Sequence, residues 1–393
     1  MASATDLAVG TARAPGRALS QGRLRVAVLG VSIDDPCGVR DHAALLAEAL
    51  DAQGVSCSLH WLSRSAGGSL AADRAEARSW AQATARELHE SRPQALLLHY
   101  SVFAFSHRGV PLLLQPVLGA LQALQLPLVG FMHELAYPWH LGGLRGKVWS
   151  ATQRIALRGL VSDCTGIVVT AEARAEWLRT RAWLPSRPTA VAPVFPNLPA
   201  ASPEQAIEPG RLGLFGYAHE GVARDVVLDA LALARERHGE LRLVLLGAPG
   251  SLSPAGEQWR QAAAGRELSD ALSFSERLGA QQLADVLASC ELLLFAERGG
   301  PTSRKTTLAA SLASGRPLVA LDGRNSWSEL LAADAVLATR PDAKALAEAI
   351  VGLLADQDER VRQAARGRAF AERTMSVEHS ASIVATALAR VVG

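Results

Sequence analysis

The sequence predicts an α/β protein made of two doubly wound domains that face one another across a cleft, and three observations carry that prediction. Short runs of Val, Leu and Ile without polar alternation recur along the chain, separated by amphipathic segments of helical length. This is the pattern of parallel strands buried on both faces between helices. The pattern occurs twice, and between its two occurrences lie Pro185, Pro188, Pro193, Pro196, Pro199, Pro203 and Pro209, a density that suits a semi-rigid connector rather than a regular element. At 393 residues the chain also exceeds what one core ordinarily organises.

Residues 1–22 read as a mobile tail, because Arg13 and Arg17 stand among Ala, Gly and Ser without a continuous apolar run. The first domain, 23–184, alternates strands at 24–29, 56–62, 95–99, 128–132 and 166–170 with helices at 39–51, 71–90, 111–125, 144–160 and 171–181. The connector takes 185–210. The second domain, 211–375, restarts with strands at 212–215, 241–246, 272–275, 292–295, 317–321 and 335–339. Helices at 224–237, 256–264, 280–289, 304–314 and 327–332 separate them, and three helical stretches follow. The last of these, 376–393, is placed as a C-terminal helix able to pack back on the first domain. Both sheets are thus expected to be Rossmann-like, with ligands at the carboxyl ends of their strands.

Composition excludes several classes. Charged residues make up 20% and the formal net charge is +2, so no large basic field exists to hold nucleic acid or anionic lipid nonspecifically. Cys37, Cys57, Cys164 and Cys290 stand far apart without a CxxC pair, which fits neither a disulfide framework nor a zinc site and points to the cytosol. Residues 110–132 carry no charge, but Pro111, Pro116 and Pro127 with Gln115, Gln122 and Gln125 break them into a helix and a strand, so no transmembrane segment is expected.

The segment 292–320 carries the strongest chemical signal. Leu292 to Phe295 form a buried strand, Gly299, Gly300 and Pro301 end it, and Thr302 or Ser303 can cap the helix that follows. Arg304 and Lys305 then open that helix where the macrodipole disfavours cations, a conflict that a bound phosphate would resolve. Only Lys147, Lys305 and Lys344 are lysines in an otherwise arginine-using chain. Ser303, Arg304, Lys305, Thr306 and Thr307 are therefore the candidate phosphate ligands; the alternative is a solvated pair on a helix shoulder.

Three further loops lie at predicted strand ends. His133 and Glu134 follow the strand 128–132, where a His can bond a sugar hydroxyl and the Glu can orient it or meet an acceptor; a His that merely caps a strand is the alternative. Tyr137, Trp139 and His140 continue in a loop with Gly142 and Gly143 that can cover an acceptor or simply pack. Gly216 and Tyr217, in FGYAHEG, offer backbone amides to a diphosphate, although a tight turn needs the same glycines. Gly38 opens the first domain's first helix, where a ligand can approach the backbone closely, with Arg40 or His42 in the first turn; a plain strand-to-helix turn is the alternative. Asp34 and Asp35 read as a capping or solvated pair, and Asp356 with Asp358 as surface.

Taken in order, these segments resemble the GT-B glycosyltransferases, specifically the retaining, glycogen-synthase-like family 4, over nearly the whole chain from residue 24. Gly38 with the helix ending AEALDAQGVSCSL is similar to the family's acceptor-domain opening, GFMHEL to its strand-end His, and IVVTAEARAEWL to its segment before the crossover. LGLFGYAHEG resembles the donor-domain opening, and LAASLASGRPLVA the helix ending in Gly-x-Pro. The family usually carries two glutamates eight positions apart, which fall here on Thr302 and Ala310, with Glu297 too far upstream to substitute in register. The resemblance implies a nucleoside diphosphate sugar donor held by the second domain, an acceptor held by the first, retention of configuration, no obligatory metal and no cofactor beyond the donor. Natural-product or cell-envelope glycans are the expected products. A nucleotide-sugar epimerase, or an inactive subunit activating a partner transferase, are the alternatives; a nicotinamide-dependent dehydrogenase is disfavoured because no GxGxxG joins a first strand to its helix.

Overall fold

The computed structural model describes residues 23–33, 37–64 and 67–393; the tail expected over 1–22 and the Asp34–Asp35 pair lie outside them. The first domain runs β1 (Leu24–Ile33), α1 (Gly38–Ala52), β2 (Val55–Arg64), α2 (Leu70–Ser91), β3 (Ala95–Tyr100), α3 (Leu114–Gln122), β4 (Leu128–Met132), α4 (Gly143–Asp163), β5 (Gly166–Val169), α5 (Glu172–Arg179) and β6 (Thr189–Val191). The second runs β7 (Glu208–Phe215), α6 (Arg224–Arg235), β8 (Arg242–Leu246), α7 (Pro254–Ala264), β9 (Leu272–Phe274), α8 (Ala280–Ser289), β10 (Cys290–Phe295), α9 (Thr306–Ala313), β11 (Leu318–Leu321), α10 (Ser328–Ala332), β12 (Leu337–Thr339), α11 (Ala343–Ala355) and α12 (Gln357–Thr374). The final helix, α13 (Val377–Val392), returns to the first domain. There Ala381, Val384 and Leu388 are buried with Val26, Leu46 and Phe131, and Ser380 Oγ donates to the Pro193 carbonyl at 2.5 Å.

Each sheet has six parallel strands, ordered β2-β1-β3-β4-β5-β6 and β12-β11-β10-β7-β8-β9. β3, β4 and β5 are buried at every position, so their unbroken apolar composition follows from helices covering both faces. Strand order reverses between β1 and β3 in one sheet and between β7 and β10 in the other. Loops leaving those strands diverge to opposite faces and leave a crevice at the carboxyl edge.

Two features depart from the sequence reading. Residues 185–210 are not wholly irregular: Thr189–Val191 pair with β5 as an edge strand, and β7 begins at Glu208. Proline is tolerated there because Pro188 and Pro193 flank a three-residue edge strand instead of interrupting its ladder. The remaining connector is fastened to the second domain, where the Ser202 N–H donates to Asp285 at 2.7 Å. The helix expected over 304–314 starts at Thr306, with Lys305 in an extended conformation at its N-cap. Neither Thr302 nor Ser303 caps it, and Arg304 stands before the helix instead of within its first turn.

Candidate active site

A cavity of about 790 Å³ separates the domains, walled by the loops leaving β3, β4 and β5 on one side and β10 and β11 on the other. On the first wall, the His133 N–H extends β4 by donating to the Tyr100 carbonyl at 2.9 Å, which sets Glu134 at the rim. Glu134 accepts from Ser101 Oγ at 3.1 Å and lines the cavity. The Tyr137 loop is held from below by α4. Buried Gln153 accepts from the Tyr137 N–H at 2.7 Å and donates to the Gly109 carbonyl at 2.9 Å, while Ser150 Oγ donates to the Tyr137 carbonyl at 2.8 Å. Tyr137, Trp139, His140 and Arg154 thereby form one polar and aromatic flank of the cavity.

Arg174, in the first turns of α5, supplies a cation that sequence reasoning did not single out. Its guanidinium donates to the His133 carbonyl and, at 3.4 Å, to Thr170 Oγ1. Burial first, and the charge of Arg304 second, bring its pKa down to about 10, so it stays charged at neutral pH. Arg304 reaches the same cavity from the opposite domain, is exposed, and forms no ion pair or hydrogen bond among the described residues. Two arginines that feel one another's charge across a cleft make a site for an anion.

The second wall is anchored at its base by Ser303. Its Oγ donates to the Thr170 carbonyl at 2.8 Å across the cleft, and its own carbonyl accepts from the N–H of Val194 in the connector at 2.9 Å. Thr302 lies beside it on the cavity wall, with Oγ1 buried and unpartnered among the described residues, a polar atom of the kind that a ligand satisfies. Lys305 Nζ lies 2.6 Å from Glu297 Oε1 and 3.3 Å from His219 Nε2. Burial lowers the Lys305 pKa and Glu297 opposes that shift; burial and then Lys305 lower that of His219.

His219 Nδ1 also faces the Gly221 N–H at 3.0 Å. A neutral imidazole carries one proton and cannot accept at both nitrogens, so one of these contacts sets donor against donor. The locality has surplus donors, and a bound anion would take them up. Glu297, set aside on register grounds, belongs to this group: an antiparallel bridge between Val222 and Glu297 draws the loops after β7 and β10 together at the switch point.

The other expected residues are placed as follows. Gly216, with φ +81°, sits where a Cβ would come within 2.8 Å of the Thr307 methyl, so the two loops do abut. Its N–H, however, is directed at the Leu246 carbonyl at 3.3 Å. The Tyr217 side chain faces the core: it is 2% exposed, packs edge-on against Trp259 and Phe274, and its hydroxyl accepts from the Gly250 N–H at 2.8 Å. Its ring turns into the core because a residue beyond a strand end alternates inward as readily as outward. Thr306 and Thr307 occupy the first turn of α9 and do not line the cavity. Gly38 and Arg40 lie at the β1–β2 edge, also away from its lining. Neither packing nor a positive φ requires glycine at 38, and Arg40 donates to Ser63 Oγ at 3.3 Å.

His133 also departs from expectation. Its ring stacks on Phe131 and its Nε2 meets His99 Nδ1 at 2.9 Å, so it faces the domain interior and not the cavity. His42 completes the cluster, stacked on Phe195 at 4.4 Å with neither ring nitrogen bonded among the described residues. Burial lowers the His42 pKa to about 4 and those of His99 and His133 well below 6.5, with His42 adding to both, so the three imidazoles are neutral. Their nitrogens lie within 4.8 Å of one another, the spacing of a metal site. The His99–His133 separation of 2.9 Å is nevertheless a hydrogen bond, shorter than the roughly 3.3 Å between two nitrogens on a tetrahedral zinc.

Residues 210–356 match the family model of glycosyl transferases group 1. Solved structures similar in fold include Anabaena HepE in complex with UDP-glucose, at 15% identity over 93% of this chain and all of that one, with a TM-score of 0.65. Sucrose-phosphate synthase from Thermosynechococcus elongatus aligns at 16% identity over 94% of this chain and 98% of that one, with a TM-score of 0.64. A glycosyltransferase from Rickettsia africae aligns at 11% over 94% and 99%, with a TM-score of 0.67. None of the curated proteins matches the chain. Identities this low carry the fold, which is GT-B, and nothing about substrate.

Proposed function

We propose that this chain, a glycosyltransferase of GT-B fold whose second domain belongs to glycosyl transferases group 1, moves a sugar from a nucleoside diphosphate donor to an acceptor hydroxyl with retention of configuration. The observation that carries the donor half is the confrontation of Arg174 and Arg304 across the cavity, with neither paired to a carboxylate among the described residues. A diphosphate between them would neutralise both, and each charge-assisted bond contributes most where water is excluded. The Lys305–Glu297–His219 group, which meets the cavity at Glu297, adds donors on the same side. Departure of the diphosphate builds charge on its oxygens, and these donors, already oriented, stabilise it without reorganisation.

The two positions that carry glutamate in the resembled family are occupied differently. Ala310 is buried within α9 and touches no ligand space, whereas Thr302 offers an unpartnered hydroxyl on the wall. Donor sugar contacts therefore fall to Thr302, with Asn325 and Ser326 beside it. Glu134 and Tyr137 line the opposite side, where an acceptor hydroxyl would be aligned with the anomeric carbon. In a retaining reaction the departing phosphate itself can take the acceptor proton, so no further base is needed.

The test requires no acceptor. A panel of nucleoside diphosphate sugars is screened for thermal stabilisation, which reaches about 2.7 kcal/mol at a hundred times the dissociation constant. The stabilising donor is then incubated alone, and NMR reads the anomer of any sugar released to water. Retained configuration supports the reading, inversion refutes the stereochemistry, and a converted donor without release makes the protein an epimerase.

A further inference from the structure

Seven of the fourteen exposed large apolar side chains among the described residues fall between Phe103 and Ile155, while the others stand singly on separate elements. Three of the seven lie on α4. Leu144, Val148 and Ile155 are 82%, 54% and 73% exposed, and their spacing of four and then seven residues puts them in one row on the helix face away from the core. The row is about 16 Å long. Its opposite face, carrying Ser150, Gln153, Leu157 and Leu160, is buried, so the helix is already fully docked and the outward apolar row is surplus to folding.

Cations run beside it. Lys147, Arg154 and Arg158, spaced seven and four residues apart, form a second row adjoining the first. Arg145 flanks the helix start, its guanidinium 4.6 Å above the Trp149 ring. From residue 136 through 162 the chain contains no Asp or Glu. Trp139 and Leu141, both exposed, stand just ahead of the start of α4 and continue the apolar surface there.

We propose that this face of α4 docks the protein peripherally on an anionic lipid bilayer, the apolar row entering the headgroup boundary and the cationic row meeting lipid phosphates. An exposed apolar stripe bordered by Lys and Arg, with tryptophans at its edge, is the signature of a helix lying in a membrane interface. A second copy of this chain fits poorly, because a two-fold contact would set the same cations against themselves with no acid to pair them. The helix also abuts the cavity: Arg154 and Trp139 line it, the guanidinium 4.6 Å from the indole. A docked bilayer would therefore lie beside the acceptor wall. The proposal does not depend on the donor reading and would stand if that reading failed.

The experiment is co-sedimentation of the full chain with vesicles of phosphatidylcholine alone or mixed with phosphatidylglycerol, at low and high salt. Binding is expected only to the anionic vesicles, weakening as salt screens the cationic row. Leu144→Glu with Ile155→Glu should lower the partition coefficient by roughly tenfold or more, and Lys147→Gln with Arg158→Gln should lower it and flatten the salt dependence. Circular dichroism and thermal melting check that both variants remain folded. Absence of vesicle binding, or binding that both variants keep, overturns the proposal. Concentration-dependent dimerisation abolished by Leu144→Glu, without vesicle binding, assigns the face to a second copy and overturns it equally.

Discussion

Arg304→Gln separates a diphosphate clamp from an ordinary surface arginine. Arg304 is exposed and unpaired among the described residues, so removing it leaves no orphaned carboxylate, and it relieves the repulsion that helps depress Arg174. Fold stability should therefore stay within about 0.5 kcal/mol of wild type or rise slightly. Affinity for a nucleoside diphosphate should fall by about 1.5 to 3 kcal/mol, the worth of a hydrogen bond to a charged group, which is roughly ten- to 150-fold in dissociation constant. Affinity for the bare nucleoside should not change. Lys305→Gln provides the internal contrast. Its Nζ is paired with Glu297 at 2.6 Å, so that variant strands a largely buried carboxylate and should lose stability as well as diphosphate affinity. Calorimetric titration with both ligands, alongside urea unfolding of both variants, reads all of these quantities. Equal loss of both ligands in Arg304→Gln would move the residue to a base or ribose pocket, and no loss of either would refute the clamp.

Three more predictions rest on the first domain and the interdomain contact. The neutral histidine cluster should make the fold acid-labile: the unfolded imidazoles protonate near 6.5 while folded His42 resists to about 4, so stability is level above 6.5 and declines below it. His42 alone accounts for about 3 kcal/mol across that window, and urea midpoints unchanged between pH 7.5 and pH 5 would sink the argument. His133→Ala should lower fold stability, because it empties a position stacked on Phe131 and hydrogen-bonded to His99, with nucleotide affinity retained; an unchanged urea midpoint would take the ring out of the packed cluster. Because Ser303 bonds both Thr170 and Val194, donor binding should close the domains about that point, giving a more compact scattering profile and protecting the connector from protease. Nucleotide binding that alters neither would remove closure from the mechanism.

Strand positions were legible because burial on both faces leaves an unbroken apolar run, and β3, β4 and β10 were all found from such runs. β6 was not, since three residues between prolines carry too little pattern to outweigh the breakers around them. The start of α9 was misread for a related reason: Thr302 and Ser303 are good caps by type, but tertiary bonding claimed Ser303 for the other domain before it could cap anything. Within the site, position along a strand located Glu134 and Arg304 on the cavity wall, yet it did not tell which way a side chain turns once the strand has ended. Tyr217 turned into the core and His133 toward His99. Glu297 was hidden by a different limit, because distance in sequence from the helix says nothing about a loop that a bridge to Val222 folds back on itself.

Arg174 shows what a single sequence withholds most completely. It sits at the start of α5 in an alanine- and glutamate-rich segment where an arginine reads as solvated surface, and its meaning comes from Arg304, 130 positions later and in the other domain. Neither cation is an anion site by itself, as Arg174 is bonded to the carbonyls that end β4 and Arg304 stands in solvent. Brought together, they repel, and that repulsion is unfavourable. A ligand carrying two phosphates would change its sign, so a nucleoside diphosphate donor would supply the energy that draws the two walls together and excludes water. This coupling predicts that Arg174→Gln and Arg304→Gln are not additive: once one arginine is gone, removing the other should cost less diphosphate affinity than it does in the wild type. Full additivity in a double-mutant cycle would mean that the two arginines never share a ligand, and the shared-anion reading of the cleft would fall.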